Sequence, residues 1–245
     1  MNIDREIAQY RKSKPSMLGR GIERLTHPFG KALSSVVPDA LVEGVLKGLD
    51  QAVGAPALNR FDHDPADLDA AHDAAKGIVR TARNISTTTG AAAGFGGALS
   101  MSFDIPATIG IALRTIRDTG RAYGFDGEGA AERVFRLQIL ELSALDEPEL
   151  RDERIAALEA AIAEDGSLVA ADHKDITPIV DQAVERVSRA IAFASFRSRA
   201  GMVVPVVGSA VGALVNRSFQ GDVGEAARFA FLLRRRKQDG DTVAA

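Results

Sequence analysis

Apolar residues recur along this chain at helical spacing, on one side of each polar stretch, and almost nowhere alternate with polar ones. That periodicity predicts helices over residues 2–12, 39–53, 66–88, 104–122, 128–144, 147–164, 176–199 and 222–237. The one alternating run, Met202–Val207, is interrupted by Pro205, which argues against a strand. Punctuation supports several of these boundaries. Asp39 follows Pro38 and precedes an apolar run, as an N-cap does. Asp104 stands before Ile105-Pro106, and Asp175 or Thr177 before Pro178, each a cap followed by a proline tolerated in a first helical turn. Gly124 follows Tyr123 where a helix should stop, and Asp126-Gly127 is turn chemistry. Residues 13–38 and 54–65, with Pro15, Pro28, Pro38, Pro56 and Pro65 among them, read as loops. The expected fold class is all-α, a single multi-helix domain.

Two stretches break the amphipathic rhythm because they carry no charge at all: residues 84–103, between Arg83 and Asp104, and residues 200–216, between Arg199 and Arg217. Each contains a GxxxG, Gly90-x-x-x-Gly94 and Gly208-x-x-x-Gly212, and Gly97 extends the small face of the first. Small residues four apart share one helix face and let two backbones approach closely. These segments are expected to form two central Gly/Ala-rich helical pieces that pack on each other or on equivalent helices. The first has the length to span a bilayer but is mostly Gly, Ala, Ser and Thr; the second is more apolar but short and holds Pro205. A re-entrant or interfacial hairpin, or a tight core, fits better than a spanning pair.

Composition narrows the chemistry. The chain of 245 residues has no cysteine, which excludes disulfides, a thiol nucleophile and metal–sulfur sites. Glycine and alanine together make up about a quarter of the chain, without a collagen period. The net charge of −3 offers no case for nucleic acid. It is unevenly spread: residues 1–31 carry seven Lys/Arg against three acids, residues 141–181 twelve acids against three bases, and residues 182–238 ten Lys/Arg against three acids. Basic ends of this kind are either solvated helix faces or surfaces for anionic lipid or an acidic partner. Charges stand where a signal peptide would have its apolar core, so the expected location is the cytoplasm.

Nucleotide motifs fail on detail. After Gly97 come Ala98-Leu99 rather than the Lys-Ser/Thr of a P-loop, and no cofactor is expected. The densest metal-ligating stretch is Phe61–Asp73, where Asp69, His72 and Asp73 share a helical face; its alternative is an acidic helix start favoured by the macrodipole. Asp104, in apolar surroundings, is either an N-cap or the partner of Arg114, Arg117 or Arg133 in a buried cluster lining a ligand site. Arg114 and Asp118 are spaced i,i+4, so at least one arginine of this helix needs a partner elsewhere. Tyr123, Glu132 and Arg133 flank the following turn, and Asn216, Arg217 and Asp222 a second turn. No catalytic spacing appears.

In order, several pieces resemble the EcsC family of bacterial proteins: Thr88-Thr89-Gly90-Ala91-Ala92-Ala93-Gly94-Phe95-Gly96-Gly97, Asp104-Ile105-Pro106, Leu113-Arg114-x-Ile116-Arg117-Asp118, Tyr123-Gly124-Phe125-Asp126 and Glu132-Arg133. Pro205-x-x-Gly208-x-x-x-Gly212-x-x-x-Asn216 and Asp222-Val223-x-x-x-Ala227-x-x-Ala230-Phe231 follow. The resemblance spans about 78–235. It implies an all-α fold and a setting beside an ABC transporter, and carries over no catalytic residue. The expected organisation is an N-terminal region 1–65, a helical domain 66–238 and a flexible tail 239–245. The expected function is non-enzymatic: a peripheral protein at the cytoplasmic face of the inner membrane, binding lipid or a membrane protein such as a transporter. Gly208, Gly212, Arg234, Arg235, Arg236 and Lys237 would make the contact. Asp104, Arg114, Arg117, Tyr123, Glu132, Arg133, Gly94 and Gly97 are the candidate ligand-binding positions. Two alternatives stand beside it: a soluble helical carrier enclosing an apolar ligand such as a fatty acyl chain, and a metal-dependent enzyme using Asp69, His72 and Asp73.

Overall fold

The computed structural model describes residues 1–13, 39–52, 54–94, 101–145, 147–169, 181–182, 184–188 and 208–244. Seven helices are defined: α1 (Ile3–Lys12), α2 (Asp39–Ala52), α3 (Leu68–Gly94), α4 (Met101–Ala122), α5 (Ala130–Ser143), α6 (Pro148–Ala160) and α7 (Gly208–Ala244). Among the described residues there is no strand; the one β-contact is an isolated bridge between Ile162 and Leu168. Residues 181–182 and 184–188 are also helical; the rest of the span 176–199 lies outside the described residues, as do Gly97 and all but the first residue of the predicted loop 13–38.

Local chemistry sets most of the ends. Asn2 caps α1 by accepting the Arg5 amide at 2.9 Å, with Asp4 and Glu6 at the positive end of the dipole and Arg11 and Lys12 at the negative end. Asp67 caps α3 by accepting the amides of Asp69 and Ala70 at 3.0 and 3.1 Å. Gly124, at φ +87, ends α4 in a left-handed turn in which the Phe125 amide donates to the Gly120 carbonyl at 2.8 Å.

The molecule is arranged around α7, which packs against α3 most extensively and also against α1, α4 and α5. Its middle is buried on nearly every side, with Val223, Ala226, Ala227, Phe229, Ala230, Phe231, Leu232 and Leu233 all in the core. Val79 meets Gly224 and Arg83 meets Gly221, so α3 and α7 run antiparallel. Gln220 donates to the Thr108 carbonyl and Phe231 lies against Gly120, so α4 runs parallel to α7. Helix α2 packs on α4, with Gly48 against Ile109.

Four expectations about elements are corrected. The turn predicted between Asn216 and Asp222 is absent: α7 is one helix of 37 residues, about 55 Å long. Its glycines mark close contact instead of a turn, since a Cβ would come within 1.9 Å of Arg83 at Gly221 and 2.2 Å of Val79 at Gly224. The same helix continues to Ala244 through the stretch expected to be a flexible tail. Helix α6 stops at Ala160, short of 164, because Asp165 accepts the Ser167 amide at 2.9 Å and Gly166 turns at φ +77. Helix α4 starts at Met101, which places Asp104 inside its first turn instead of at the cap. In the N-terminal region, Tyr10 of α1 stacks on Phe229 of α7 at 4.3 Å, and Arg11 pairs with Glu159 of α6.

Candidate functional site

The arginines of α4 are used to fasten a loop. Arg117, 3% exposed, donates through Nε to Asp118 at 2.9 Å and through Nη1 to the Ala52 carbonyl at 2.7 Å. Arg114 donates to the Pro56 carbonyl at 2.7 Å, and fully buried Asp118 accepts the Leu58 amide at 2.6 Å. His63 Nε2 lies 2.9 Å from the Ala122 carbonyl. The chain leaving α2 is thereby held against α4 before it enters α3. Arg114 and Arg117 find their partners in backbone carbonyls and Asp118. The Asp104 side chain lies outside the described residues.

Tyr123 and Glu132 are each drawn to residues predicted for other roles. The Tyr123 hydroxyl lies 2.9 Å from Nδ1 of His72, both buried between α3 and α4. Burial raises the Tyr123 pKa and lowers that of His72, to which Lys76 and Arg228 also contribute, so the contact joins a neutral ring to a neutral phenol. Glu132 Oε1 pairs with Arg234 at 2.9 Å. Arg133 is exposed on the outer face of α5. A second ion-pair group closes the α4–α5 turn, where Glu128 binds Arg136 at 3.0 Å and Arg121 at 3.1 Å. Burial pushes Glu128 up, but the Arg136 hydrogen bond and the charges of Arg136 and Arg121 outweigh it and hold the carboxyl below its ordinary range. On α5, buried Glu141 bridges Arg154 of α6 at 3.1 Å and Arg186 at 3.4 Å, a three-way link that spacing gave no hint of.

The basic run of α7 is not a free surface. Arg234 is 4% exposed: Nε donates to the Gly166 carbonyl at 3.0 Å and the guanidinium lies 4.0 Å over the Phe125 ring. Burial lowers its pKa, with the Arg136 charge adding to it and the Glu132 pair opposing it. Lys237 donates to the Ile162 carbonyl at 2.6 Å and pairs with Glu164 at 3.4 Å. Arg235 pairs with Asp239 at 3.5 Å and Arg236 with Asp4 at 3.6 Å. Arg234 and Lys237 pin the 160–169 turn to α7, and only Arg236 keeps a largely exposed side chain, at 43%. Of the four basic residues Arg234 is buried, and each of the four has a carboxylate partner.

Asp69, His72 and Asp73 do not converge. Asp69 pairs with the N-terminal amine at 2.8 Å, Asp73 with Lys76 at 3.5 Å, and His72 turns inward to Tyr123. Among the described residues no three acidic or imidazole groups come close enough to share an ion. The metal-dependent alternative loses its candidate ligands.

What remains, among the described residues, is a pair of helical segments that carry no charge. Past Arg83, α3 continues from 84 to 94 without an ionisable residue, and α7 begins with the equally uncharged 208–216. The antiparallel register set by Val79–Gly224 and Arg83–Gly221, carried along both helices, brings Gly90 and Gly94 to the level of Gly212 and Gly208. Helix α4 enters at the same end, uncharged from Ile105 to Leu113 after Asp104. Flanking α2 carries exposed Glu43, Leu46 and Lys47. No helix among the described residues is long and apolar enough to cross a membrane.

A family model described as the EcsC protein family matches residues 2–235, so the N-terminal residues that resemble nothing by motif fall within the match. The uncharacterized protein YdbA of Bacillus subtilis (strain 168) is 28% identical over 180 residues, 69% of this chain and 60% of that protein's length. Protein EcsC of the same organism is 22% identical over 227 residues, 90% of this chain and 88% of its own. No solved structure matches.

Proposed function

The chain belongs to the EcsC protein family, and we propose that it is a non-catalytic protein that attaches peripherally to the cytoplasmic face of the inner membrane through the charge-free end of α3 and α7. The observation that carries this reading is the convergence of two uncharged segments, far apart in sequence, at one end of the bundle. A helix satisfies its own backbone groups along its length, leaving only those of its first and last turns for polar partners, so an uncharged helical segment can enter an apolar phase. The uncharged length is 11 residues on α3 and nine on α7, about 16 and 13 Å at 1.5 Å per residue. That matches about half of a 30 Å hydrocarbon core. Ala and Gly add little transfer energy per residue, so attachment is weak and reversible. A membrane protein such as an ABC transporter is the neighbour this location would provide.

Because Arg234 and Lys237 are engaged within the fold, attachment should not depend on them. The full-length protein should float with neutral phosphatidylcholine vesicles and stay bound as salt is raised. Ala92→Asp and Leu214→Asp, which place a charge in each uncharged segment, should abolish flotation while leaving the helical circular dichroism unchanged. An Asp costs about 2.5–3.5 kcal/mol at the centre of a bilayer and less at a shallow depth. Absence of the wild-type protein from neutral vesicles, or full flotation of both variants, would overturn the reading.

A further inference from the structure

We propose that the charge-free end is bordered by a cationic rim, centred on Arg217, that faces the phosphates of an anionic phospholipid leaflet; this rests on the membrane reading above and names the lipid class it prefers. Arg217 is the first charged residue of α7, directly after the uncharged run, and it is exposed. It stands four and seven residues before Gly221 and Gly224, on the stripe that α7 turns toward α3. The register of the pair puts it beside residues 86–87 of α3, a helix with no carboxylate from Asn84 to Gly94.

The nearest charge along that seam is of the same sign. Arg83, the last charged residue of α3 before its own uncharged run, lays its guanidinium against Gly221, one helical turn from Arg217. Asp222 is next to Gly221 but points to a different side of α7, is half-buried, and has its own interaction. Arg83 too has its own interaction, so Arg217 is the exposed cation that marks the boundary on α7.

Depth makes this level meaningful. From Arg217 to the start of α7 is nine residues, about 13 Å. One leaflet of hydrocarbon is about 15 Å thick, half of the 30 Å core. With the uncharged end filling one leaflet, Arg217 sits at the phosphate layer. There, long cationic side chains bury their methylenes and keep the head group in the polar layer.

The test compares flotation of full-length protein with phosphatidylcholine vesicles and with vesicles containing phosphatidylglycerol, at low salt. Wild-type affinity should rise on adding the anionic lipid. Arg217→Gln should lower affinity for the anionic vesicles about five-fold, the weight of about 1 kcal/mol for one basic residue at such a surface, and leave neutral vesicles unaffected. Arg236→Gln, which removes the most exposed cation of the C-terminal run, should change neither. A wild type that floats equally with both vesicles overturns this inference and leaves the membrane reading standing. So does an Arg217→Gln loss that is equal on both vesicle types, or an anionic preference that disappears with Arg236→Gln. A wild type that floats with neither vesicle removes the membrane reading and this inference with it.

Discussion

Gly224→Ala is the substitution that most directly tests how α7 passes through the molecule. A Cβ at this position would lie 2.2, 2.8 and 3.1 Å from Cγ2, Cγ1 and Cβ of Val79. Val79 is β-branched, buried and on a helix, so its rotamer is fixed and it cannot swing aside. Overpacking of this kind costs about 1–3 kcal/mol. Alanine returns about 1 kcal/mol of helix preference over glycine. The expected net loss is about 1 kcal/mol, a fall in Tm of about 2–4 °C for a chain of this size. Gly221→Ala meets the far end of Arg83, which is flexible, and should cost less. The assay is thermal and urea unfolding followed by circular dichroism, with Val79→Ala completing a double-mutant cycle. In the Val79→Ala background the clash is gone, and Gly224→Ala should become neutral or stabilising. If it stabilises the wild type, or costs the same in both backgrounds, the close crossing is not what these glycines are for.

Asp118→Leu leaves Arg117 buried without its carboxylate and the Leu58 amide without its acceptor; removing one member of such a pair costs about 3–5 kcal/mol, and the double variant with Arg117→Met should recover part of the loss in urea unfolding. Arg234→Met frees the Gly166 carbonyl and Glu132, so amide exchange should accelerate at Ala163 and Val169, whose hydrogen bonds close the 160–169 turn, while α4 stays protected. The two glutamates of α5 and its preceding turn should respond oppositely to pH. The Glu128 carboxyl is held below its ordinary 4.5, so its contribution is present above that pH and is lost as pH falls through the folded value. Burial holds Glu141 above 4.5 despite Arg154 and Arg186, so its contribution is present below that pH and is lost as pH rises through the folded value. Glu128→Gln should therefore flatten the acid side of the stability profile, and Glu141→Gln should remove a decline on the neutral side; parallel profiles for the two variants would contradict the assignment.

The extents of α1, α2 and α5 were legible to within two residues from their apolar periodicity. The continuity of α7 was not. Gly221-Asp222 has the composition of a turn, and only Val79 and Arg83, brought in from α3, show that the glycines make room for a neighbouring helix. Tyr123 and His72 are 51 positions apart, and no local pattern joins them. The burial of Arg234 did leave a trace: Val223, Ala227, Ala230 and Arg234 are spaced i, i+4, i+7 and i+11, so the arginine continues a buried stripe. Counting it among the basic residues of the C-terminal region hid that register.

Charge and its absence therefore carry different weight in a sequence. Lys237 and Arg234 add to a basic surface on paper, yet each donates to a backbone carbonyl that the sequence does not place nearby, and Arg235 pairs with Asp239 one turn along its own helix. A cation can be consumed by such a partner. An uncharged run of 11 residues on α3 has nothing to be consumed, and folding can only decide where it is put. Here folding aligns it with the uncharged start of α7, at the end opposite to the one where Asp4, Glu164 and Asp239 meet the basic run. The resulting asymmetry along one 37-residue helix leaves it polar and self-paired at its C-terminal end and uncharged at its N-terminal end.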